Sequence, residues 1–379
     1  MKPWLVGLAA VACGAVWLVA DVALSYDGHL TGLYYTGSDQ GLPPGPVGEH
    51  TCRVRDARGY DGAYYHLIAH DPLNRRGFLA YVDTAEYRWR RIGIPGLAWV
   101  LGLGNDALID PMYVGLELLS VFVGAFWLAR CAVGIGRSAA WGLAFLLVPA
   151  TAVSLDRLTV DLPLAALAMG LIWYARDDSE PRWPAYLVLA FAPLVRETGL
   201  ILVLAWCVLY AMQRRWRVTM AGAACTIPTI AWWSYVSLHS AHDRTSFLTP
   251  VPLGGLITWT LHALRDPVAV YGPRAAAVLE LLALAGIWVA FALVVWIAVR
   301  RGWRFPELVA MLFAFFTAWI GYQDIWASAF GIGRTLSPLL LALAWIALRD
   351  RRRIYAAPLA LIVPRIALQL ASEIKVALA

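Results

Sequence analysis

The sequence predicts an all-α, polytopic membrane protein with about eleven transmembrane helices, and three observations support this fold class. Residues of the set AVILMFWYC make up 60% of the 379-residue chain, and charged residues only 15%, against about 25% in soluble domains. Apolar segments recur along the whole length, and basic residues collect in alternate connections between them. A soluble globular protein and a disordered chain are therefore both excluded.

The chain is predicted to form one membrane domain over residues 1–379, with helices that follow each other closely. A spanning helix needs about 20 mainly apolar residues, and fewer where protein surrounds it. The first runs from about Trp4 to Leu24 and is interpreted as a retained helix, because no clean A-x-A cleavage site follows it. The others lie near residues 111–130, 138–153, 158–175, 184–195, 197–212, 218–238, 276–299, 305–321, 332–348 and 354–371.

Two short stretches depart from simple spans. An apolar stretch at 92–104 is expected to lie in the interface or to re-enter the membrane. The segments 184–195 and 197–212 are separated only by Arg196, Glu197 and their neighbours. Two short helices that meet at a charged tip are expected there, rather than one continuous helix.

The distribution of basic residues predicts a cytoplasmic N-terminus. With that orientation, 15 of the 31 basic residues lie in short inner connections, and only 5 lie in short outer connections and the C-terminal segment. The other 11 lie in two long outer loops, roughly 25–110 and 239–275. The net charge of +6 suits contact with membrane lipids or a phosphorylated substrate. Nucleic acid is not an expected partner, because the arginines form no single stripe.

Ionisable residues collect at the predicted outer ends of the helices. Such groups are costly at membrane level unless they pair or line a cavity, so the sequence predicts a polar cavity that opens to the outside. The residues concerned are Asp61, His66, His70, Asp71, Asp83, Glu86, Arg88, Arg90, Arg91, Asp156, Arg157, Asp161, Arg196, Glu197, His239, His242, Asp243, Gln323, Asp324 and Arg334.

The sharpest segment is GYDGAYYHLIAHDP, from Gly59 to Pro72. A short helix over about residues 63–69 is predicted, with tyrosines that suit the membrane interface. Asp61 is open to two interpretations: an aspartate that caps this helix, or a functional carboxylate. The segment also contributes Tyr64, Tyr65, His66 and Asp71 as candidate substrate-binding or orienting residues.

The arginines beyond this segment are candidates for holding an anion. Arg88, Arg90 and Arg91 lie beside aromatic residues and directly before an apolar stretch. They are equally suited to bidentate phosphate binding and to contact with lipid phosphates at the interface. Arg334 begins the 332–348 helix and requires an anionic partner, for which Asp324 is one candidate.

Three further residues are candidate orienting groups. Asp161 lies about one turn inside its predicted helix, where a simple capping role does not explain it. Arg196 and Glu197 form either a local ion pair or a substrate contact. His239, His242 and Asp243 have a metal-binding spacing but more often mark polar surface. Walker, GxSxG and HExxH motifs are absent from the sequence.

These features together resemble the GT-C glycosyltransferases, membrane enzymes that use polyprenyl-phosphate sugars on the outer face. The residues that carry the resemblance are Gly59-Tyr60-Asp61-Gly62, Tyr64-Tyr65, Ala69, Asp71-Pro72, Tyr87-Arg88, Arg90-Arg91-Ile92 and Pro95. They are similar to a bacterial branch that includes mannosyltransferases. The resemblance implies an inner-membrane protein with its active site outside the cytoplasm.

The resemblance also implies roles for individual residues. Asp61 matches the first-loop aspartate that serves as catalytic base in this superfamily. Several branches carry a second acidic residue directly after it, but Gly62 stands there, so neither a metal site nor another cofactor is predicted. The implied donor is a polyprenyl-phosphate sugar, and the acceptor a glycan or glycolipid.

The chemistry of such a transfer agrees with the residues present. A departing phosphate needs cations rather than a general acid, whereas glycosidases need two carboxyl groups. We therefore expect Asp61 as base in an inverting transfer, with Arg334 and one of Arg88, Arg90 and Arg91 on the phosphate. Two other classes stay open: a transporter or flippase, and a non-catalytic scaffold. A transporter should carry charged residues through to the inner side.

Overall fold

The computed structural model describes residues 1–55, 57–176, 181–241, 247–300 and 302–377, with side chains to residue 371. It is 76% helical, which confirms an all-α protein. The first helices are α1 (Pro3–Ser25), α2 (Pro46–Glu49), α3 (Asp61–His70), α4 (Ala85–Trp89), α5 (Gly93–Leu101), α6 (Asp106–Gly134), α7 (Pro149–Arg157), α8 (Asp161–Tyr174), α9 (Trp183–Val195) and α10 (Gly199–Met212).

The second half of the chain continues the same pattern. It contains α11 (Trp216–Ala224), α12 (Ile227–His239), α13 (Gly254–Arg265), α14 (Pro267–Tyr271), α15 (Arg274–Arg300), α16 (Phe305–Ala318), α17 (Gln323–Trp326), α18 (Ala329–Thr335), α19 (Ser337–Asp350) and α20 (Ala357–Ala377). Four 3-10 helices cover Leu30–Tyr34, Phe78–Tyr81, Ala139–Leu147 and Arg353–Ala356. Two short parallel strands, β1 (Thr36–Gly37) and β2 (Arg53–Val54), pair Thr36 with Arg53 and Gly37 with Val54.

Four of the described helical segments are long and apolar enough to cross a membrane: α1, α6, α15 and Arg353–Ala371. Two bent pairs raise the number to six if each counts as one crossing: Ala139–Leu147 with α7 (58°) and α18 with α19 (70°). The chain is therefore a polytopic membrane protein. The expected eleven crossings are not confirmed, because α8, α9, α10 and α16 are shorter apolar helices.

Proline explains where several predicted segments break. Pro149, Pro228 and Pro338 each stand in the first turn of a helix, where a missing N–H is tolerated. The predicted segment 218–238 is accordingly divided into α11 and α12, and the segment 332–348 into α18 and α19. The predicted charged tip between α9 and α10 is confirmed, with Arg196 in an extended conformation at φ −156° and ψ 143°.

The core lies where α6 packs against α1 and α8, and where α19 packs against α8 and α16. Ion pairs of α8, α9, α16 and α19 lie at the two ends of this bundle. At one end, Arg349 at the close of α19 pairs with Glu307 at the start of α16. At the other end, the start of α8 meets the end of α9 through Asp161 and Arg196. The candidate site lies at this second end.

Helix α3 is buried rather than lying on a surface. It begins two residues earlier than predicted, at Asp61, and packs against α5 and α6. Tyr65, Leu67 and Ile68 are all at most 2% exposed. The first loop therefore folds back onto the helix bundle and holds α3 at its end.

Candidate functional site

Asp61 is the first residue of α3, and its side chain does not cap the helix. Tyr60 occupies the N-cap position and no side-chain capping bond forms. The backbone reaches this point through Gly59, whose φ of +81° favours glycine, and the Tyr60 N–H donates to the Tyr35 carbonyl at 3.1 Å. The capping interpretation of Asp61 is therefore wrong.

Two guanidinium groups hold the Asp61 carboxylate, one on each oxygen. Arg88 Nη1 donates to Oδ1 at 2.9 Å, and Arg334 Nη2 donates to Oδ2 at 2.7 Å. Arg88 lies 4.3 Å above the ring of Tyr64, and Arg334 lies 4.7 Å above the ring of Tyr60. These ring contacts fix both guanidinium planes beside the carboxylate.

The arginines keep Asp61 ionised. Burial acts to raise the pKa of Asp61, but the positive charges of Arg334 and Arg88 outweigh it and hold the pKa well below its ordinary value. Burial likewise acts to lower the pKa of Arg88, and the Asp61 carboxylate more than restores it. All three groups are charged at neutral pH.

The ion pairs continue from Arg334 into a longer network. Arg334 Nη1 donates to Asp161 Oδ2 at 3.2 Å, and the other oxygen of Asp161 pairs with Arg196. We use the term charge network for Arg88, Asp61, Arg334, Asp161, Arg196, Glu197 and Arg91. Arg196 links its two halves, since its Nε lies 3.7 Å from Glu197 Oε1.

Glu197 anchors the far half of the charge network. Arg91 Nε and Nη2 donate to its two oxygens at 2.7 and 2.8 Å, a bidentate pair. Tyr87 OH donates to Glu197 at 2.9 Å, and Arg91 Nη1 donates to Tyr65 OH at 2.6 Å. Glu197 therefore has a stronger partner in Arg91 than in its chain neighbour Arg196, so a purely local Arg196–Glu197 pair is the wrong interpretation.

The charge network is partly open, and Asp83 at its edge gives Arg88 a second carboxylate. The side chains of Asp61, Arg88 and Arg334 are 20%, 13% and 14% exposed. Arg334 Nε is buried and makes no hydrogen bond within the described residues. A bound anion could therefore take up guanidinium N–H groups that now face Asp61, which would leave a carboxylate free to accept a proton.

Other predicted residues lie outside the charge network. Arg90 pairs with Glu86 and lies 5.4 Å from the ring of Trp233. Asp71 accepts the backbone N–H groups of Arg75 and Arg76 at 2.7 and 2.8 Å, which shapes the turn after α3. The structure thus places Arg90 and Asp71 away from Asp61, contrary to the expectation that they would share its site.

Asp324 and His239 both have other contacts than those considered from the sequence. Asp324 accepts a hydrogen bond from Tyr322 at 2.7 Å instead of pairing with Arg334. His239 Nδ1 lies 2.8 Å from the Tyr235 carbonyl, while His242 and Asp243 lie outside the described residues. His66 faces His70 and Asp110. Within the described part of the chain, these three side chains form a group whose ligand atoms are close enough to hold a metal ion.

The sequence analysis gave no partner to Asp83 or Tyr60, and it missed Asp106 and Asp110 altogether. Asp83 pairs with Arg88, Tyr60 stacks on Arg334, and Asp106 and Asp110 contact the two histidines of α3. A signal for the last pair exists: Asp106, Asp110 and Glu117 share one face of an otherwise apolar helix.

Gly62 explains why no second acidic residue follows Asp61. A Cβ atom at this position would lie 2.1 Å from the Arg157 carbonyl oxygen and 2.9 Å from that of Tyr34. No side chain fits in this space, so the glycine is a packing requirement. The carboxylate of Asp61 stands without an acidic neighbour for a steric reason.

Comparison with protein-family models, with curated proteins and with solved structures gives no match to this chain.

Proposed function

We propose that this protein is an inverting glycosyltransferase that moves a sugar from a polyprenyl-phosphate donor to a glycan or lipid acceptor. The observation that carries the proposal is the Asp61 carboxylate held between Arg88 and Arg334 at 2.9 and 2.7 Å, at a partly open end of the bundle. One carboxylate beside several cations matches the needs of transfer from a phosphate.

The proposed reaction is a single displacement. The acceptor hydroxyl attacks the anomeric carbon and passes its proton to Asp61. The bond between that carbon and the phosphate oxygen breaks at the same time, and polyprenyl phosphate leaves with the electron pair. Arg88 and Arg334 balance the charge that develops on the leaving phosphate. Inversion follows because the acceptor and the leaving group occupy opposite faces of the sugar.

Donor binding would also prepare the base. A carboxylate bound to two guanidinium groups is a weak base, because its pKa is held low. The donor phosphate competes for the same N–H groups. Any arginine that turns to the phosphate takes positive charge away from the surroundings of the Asp61 carboxylate. The pKa of Asp61 then rises, so Asp61 becomes a stronger base only in the presence of donor.

Asp161 and Glu197 have a supporting role in this proposal. Asp161 bridges Arg334 and Arg196, and Glu197 holds Arg91 in a bidentate pair. They orient the arginines that face the substrate. The site lies at the opposite end from the arginine-rich connections, and by the positive-inside rule this supports a proposed location outside the cytoplasm, in a bacterial inner membrane.

The test is donor turnover by the purified protein in nanodiscs. A panel of polyprenyl-phosphate sugars is incubated with candidate acceptors, and release of polyprenyl phosphate is followed by mass spectrometry. Wild-type protein should release it with one donor, and Asp61→Asn should not. Asp324→Asn is the matched control, since this exposed aspartate contacts Tyr322 and lies outside the charge network. Full turnover by Asp61→Asn would refute the proposal.

A transporter or flippase is the second candidate, and Glu117 is the observation that favours it. Glu117 is fully buried near the middle of α6, and neither of its oxygens has a hydrogen-bond partner among the described residues. Ionisable groups at such depth often belong to transport pathways. A flippase would move a fluorescent lipid-linked sugar between leaflets of proteoliposomes without releasing polyprenyl phosphate.

A further inference from the structure

A second cluster of functional groups lies on the other face of α3 from Asp61. His66 and His70 are four residues apart and project together toward α6, at about 140° and 180° around the helix from Asp61. Both are buried, at 1% and 4% exposure. They meet Asp110 of α6, and the charge network uses none of the three.

The nitrogen and oxygen atoms of this cluster converge. His66 Nε2 lies 3.3 Å and His70 Nε2 lies 3.1 Å from the same Oδ1 atom of Asp110. One ligand atom from each residue lies within 4.8 Å of the other two. Ligand atoms around tetrahedral zinc are about 3.4 Å apart, so two of the three spacings already match. The third spacing is at most 4.8 Å, so a small side-chain movement completes it.

The surrounding residues hold the rings as the second layer of a metal site does. Asp106 Oδ1 lies 2.8 Å from His70 Nδ1, so a metal-bound His70 would donate its Nδ1–H to Asp106 and coordinate through Nε2. Arg76 fixes Asp106 at 2.8 Å. Tyr34 stacks on His66 at 4.4 Å between ring centroids and donates its hydroxyl to Asp110 at 2.9 Å.

A cation also relieves crowding at Asp110. Its Oδ1 atom faces the hydroxyl of Tyr34 and one nitrogen from each histidine, which is three groups for two lone pairs. A metal ion between the two nitrogens and the oxygen replaces two of these contacts with coordination bonds. The side chain of Asp106 is 36% exposed, so the cluster has an entrance from solvent.

We propose that His66, His70 and Asp110 form a zinc-type metal site that fixes α3 to α6. Two imidazoles and one carboxylate are the ligand set that favours Zn²⁺ over harder cations such as Mg²⁺. The site clamps the helix that begins with Asp61, and thereby positions that carboxylate without touching it. This inference does not rest on the proposed transferase activity, because metal binding is measured directly.

The test uses the full-length protein in detergent, stripped with a chelator and dialysed against Zn²⁺ or Co²⁺. We expect one metal ion per chain by elemental analysis, and the visible absorption of tetrahedral cobalt in the Co²⁺ form. Metal removal should lower the melting temperature of the wild type. Asp110→Asn and His70→Ala should lose both the bound metal and the chelator-dependent shift.

Three further variants keep the test decisive if those proteins fold poorly. Asp106→Asn changes a partly exposed residue and should weaken zinc binding by about 10–100-fold. Asp61→Asn and His239→Ala should keep one metal per chain, since neither residue belongs to the cluster. The proposal is overturned if the folded wild type binds neither metal, or if Asp106→Asn binds zinc as tightly as the wild type.

Discussion

Arg334 and Asp61 are 273 residues apart in the chain, and their side chains form a hydrogen bond of 2.7 Å. The same guanidinium group reaches Asp161 at 3.2 Å. Arg334, on α18, thus joins Asp61 of the first loop to the start of α8 at the same end of the helix bundle. This geometry explains why a lone arginine stands at the amino end of an apolar segment.

The first prediction concerns the two guanidinium N–H groups of Arg334 that contact Asp61 and Asp161. Arg334→Lys keeps the positive charge but loses the planar pair of donors that reaches Asp61 and Asp161 together. We expect donor turnover to fall by about 100-fold, the usual cost of one lost electrostatic donor. Arg351→Lys, at the opposite end of α19, is the control and should keep full turnover. Equal rates for Arg334→Lys and wild type would exclude Arg334 from the phosphate site.

The second prediction concerns the buried carboxylate of Asp161. Its side chain is 3% exposed and pairs with Arg196 and Arg334. Asp161→Asn leaves two guanidinium groups without this anion, and breaking a buried pair costs about 3–5 kcal/mol. We expect a clear loss of thermal stability in detergent. Asp83→Asn, whose side chain is 49% exposed, should change stability by less than about 1 kcal/mol.

The third prediction concerns Gly62. Gly62→Ala should destabilise the protein, because the new Cβ would meet the Arg157 carbonyl oxygen at 2.1 Å. Gly62→Asp should do so as well, and should not create a working acidic pair. Gly115→Ala is the matched control, since a Cβ there meets nothing within 4 Å and alanine favours a helix by about 1 kcal/mol. Melting temperatures of the three variants decide the matter.

The fourth prediction is a difference between two pH profiles. The pKa of Asp61 in the free protein lies well below its ordinary value, so kcat/KM should stay level as pH falls toward 5. With donor bound, the phosphate engages the arginines and the pKa of Asp61 rises, so kcat should begin to fall at a higher pH than kcat/KM. Coincident acid limbs would show that donor binding leaves the Asp61–arginine pairs unchanged.

The sequence predicted the helices better than their number of crossings. Apolar runs locate the long apolar helices, because these depend on local composition, but α13 and α14 lie in the stretch 239–275 that was predicted as a loop. Whether a helix of 14 residues such as α8 or α16 crosses the membrane depends on the protein that surrounds it. Local composition does not contain that information.

The residues of the candidate site were likewise predicted only in part from the sequence. The resemblance pointed to Asp61, and the position of Arg334 at the start of an apolar helix made it a candidate. Arg88 was one of three alternative arginines, and the structure brings it together with Asp61 and Arg334. In the structure, Arg90 pairs with Glu86, and Asp71 accepts a backbone N–H group of the next turn. Both residues stand in the same short stretches of sequence as the residues of the site. Neighbours in sequence point in different directions on a short helix, so spacing alone could not separate them.

By itself, the sequence determined that this chain is a helical membrane protein whose acidic and basic groups gather toward helix ends, because burying unpaired charge among apolar helices is too costly. Only the tertiary structure decided which charges pair. Asp61 meets Arg334, and the two histidines of α3 meet Asp110, through contacts between segments far apart in the chain. Ion pairing acts over a few ångströms, and the packing of α3 against the bundle sets those distances.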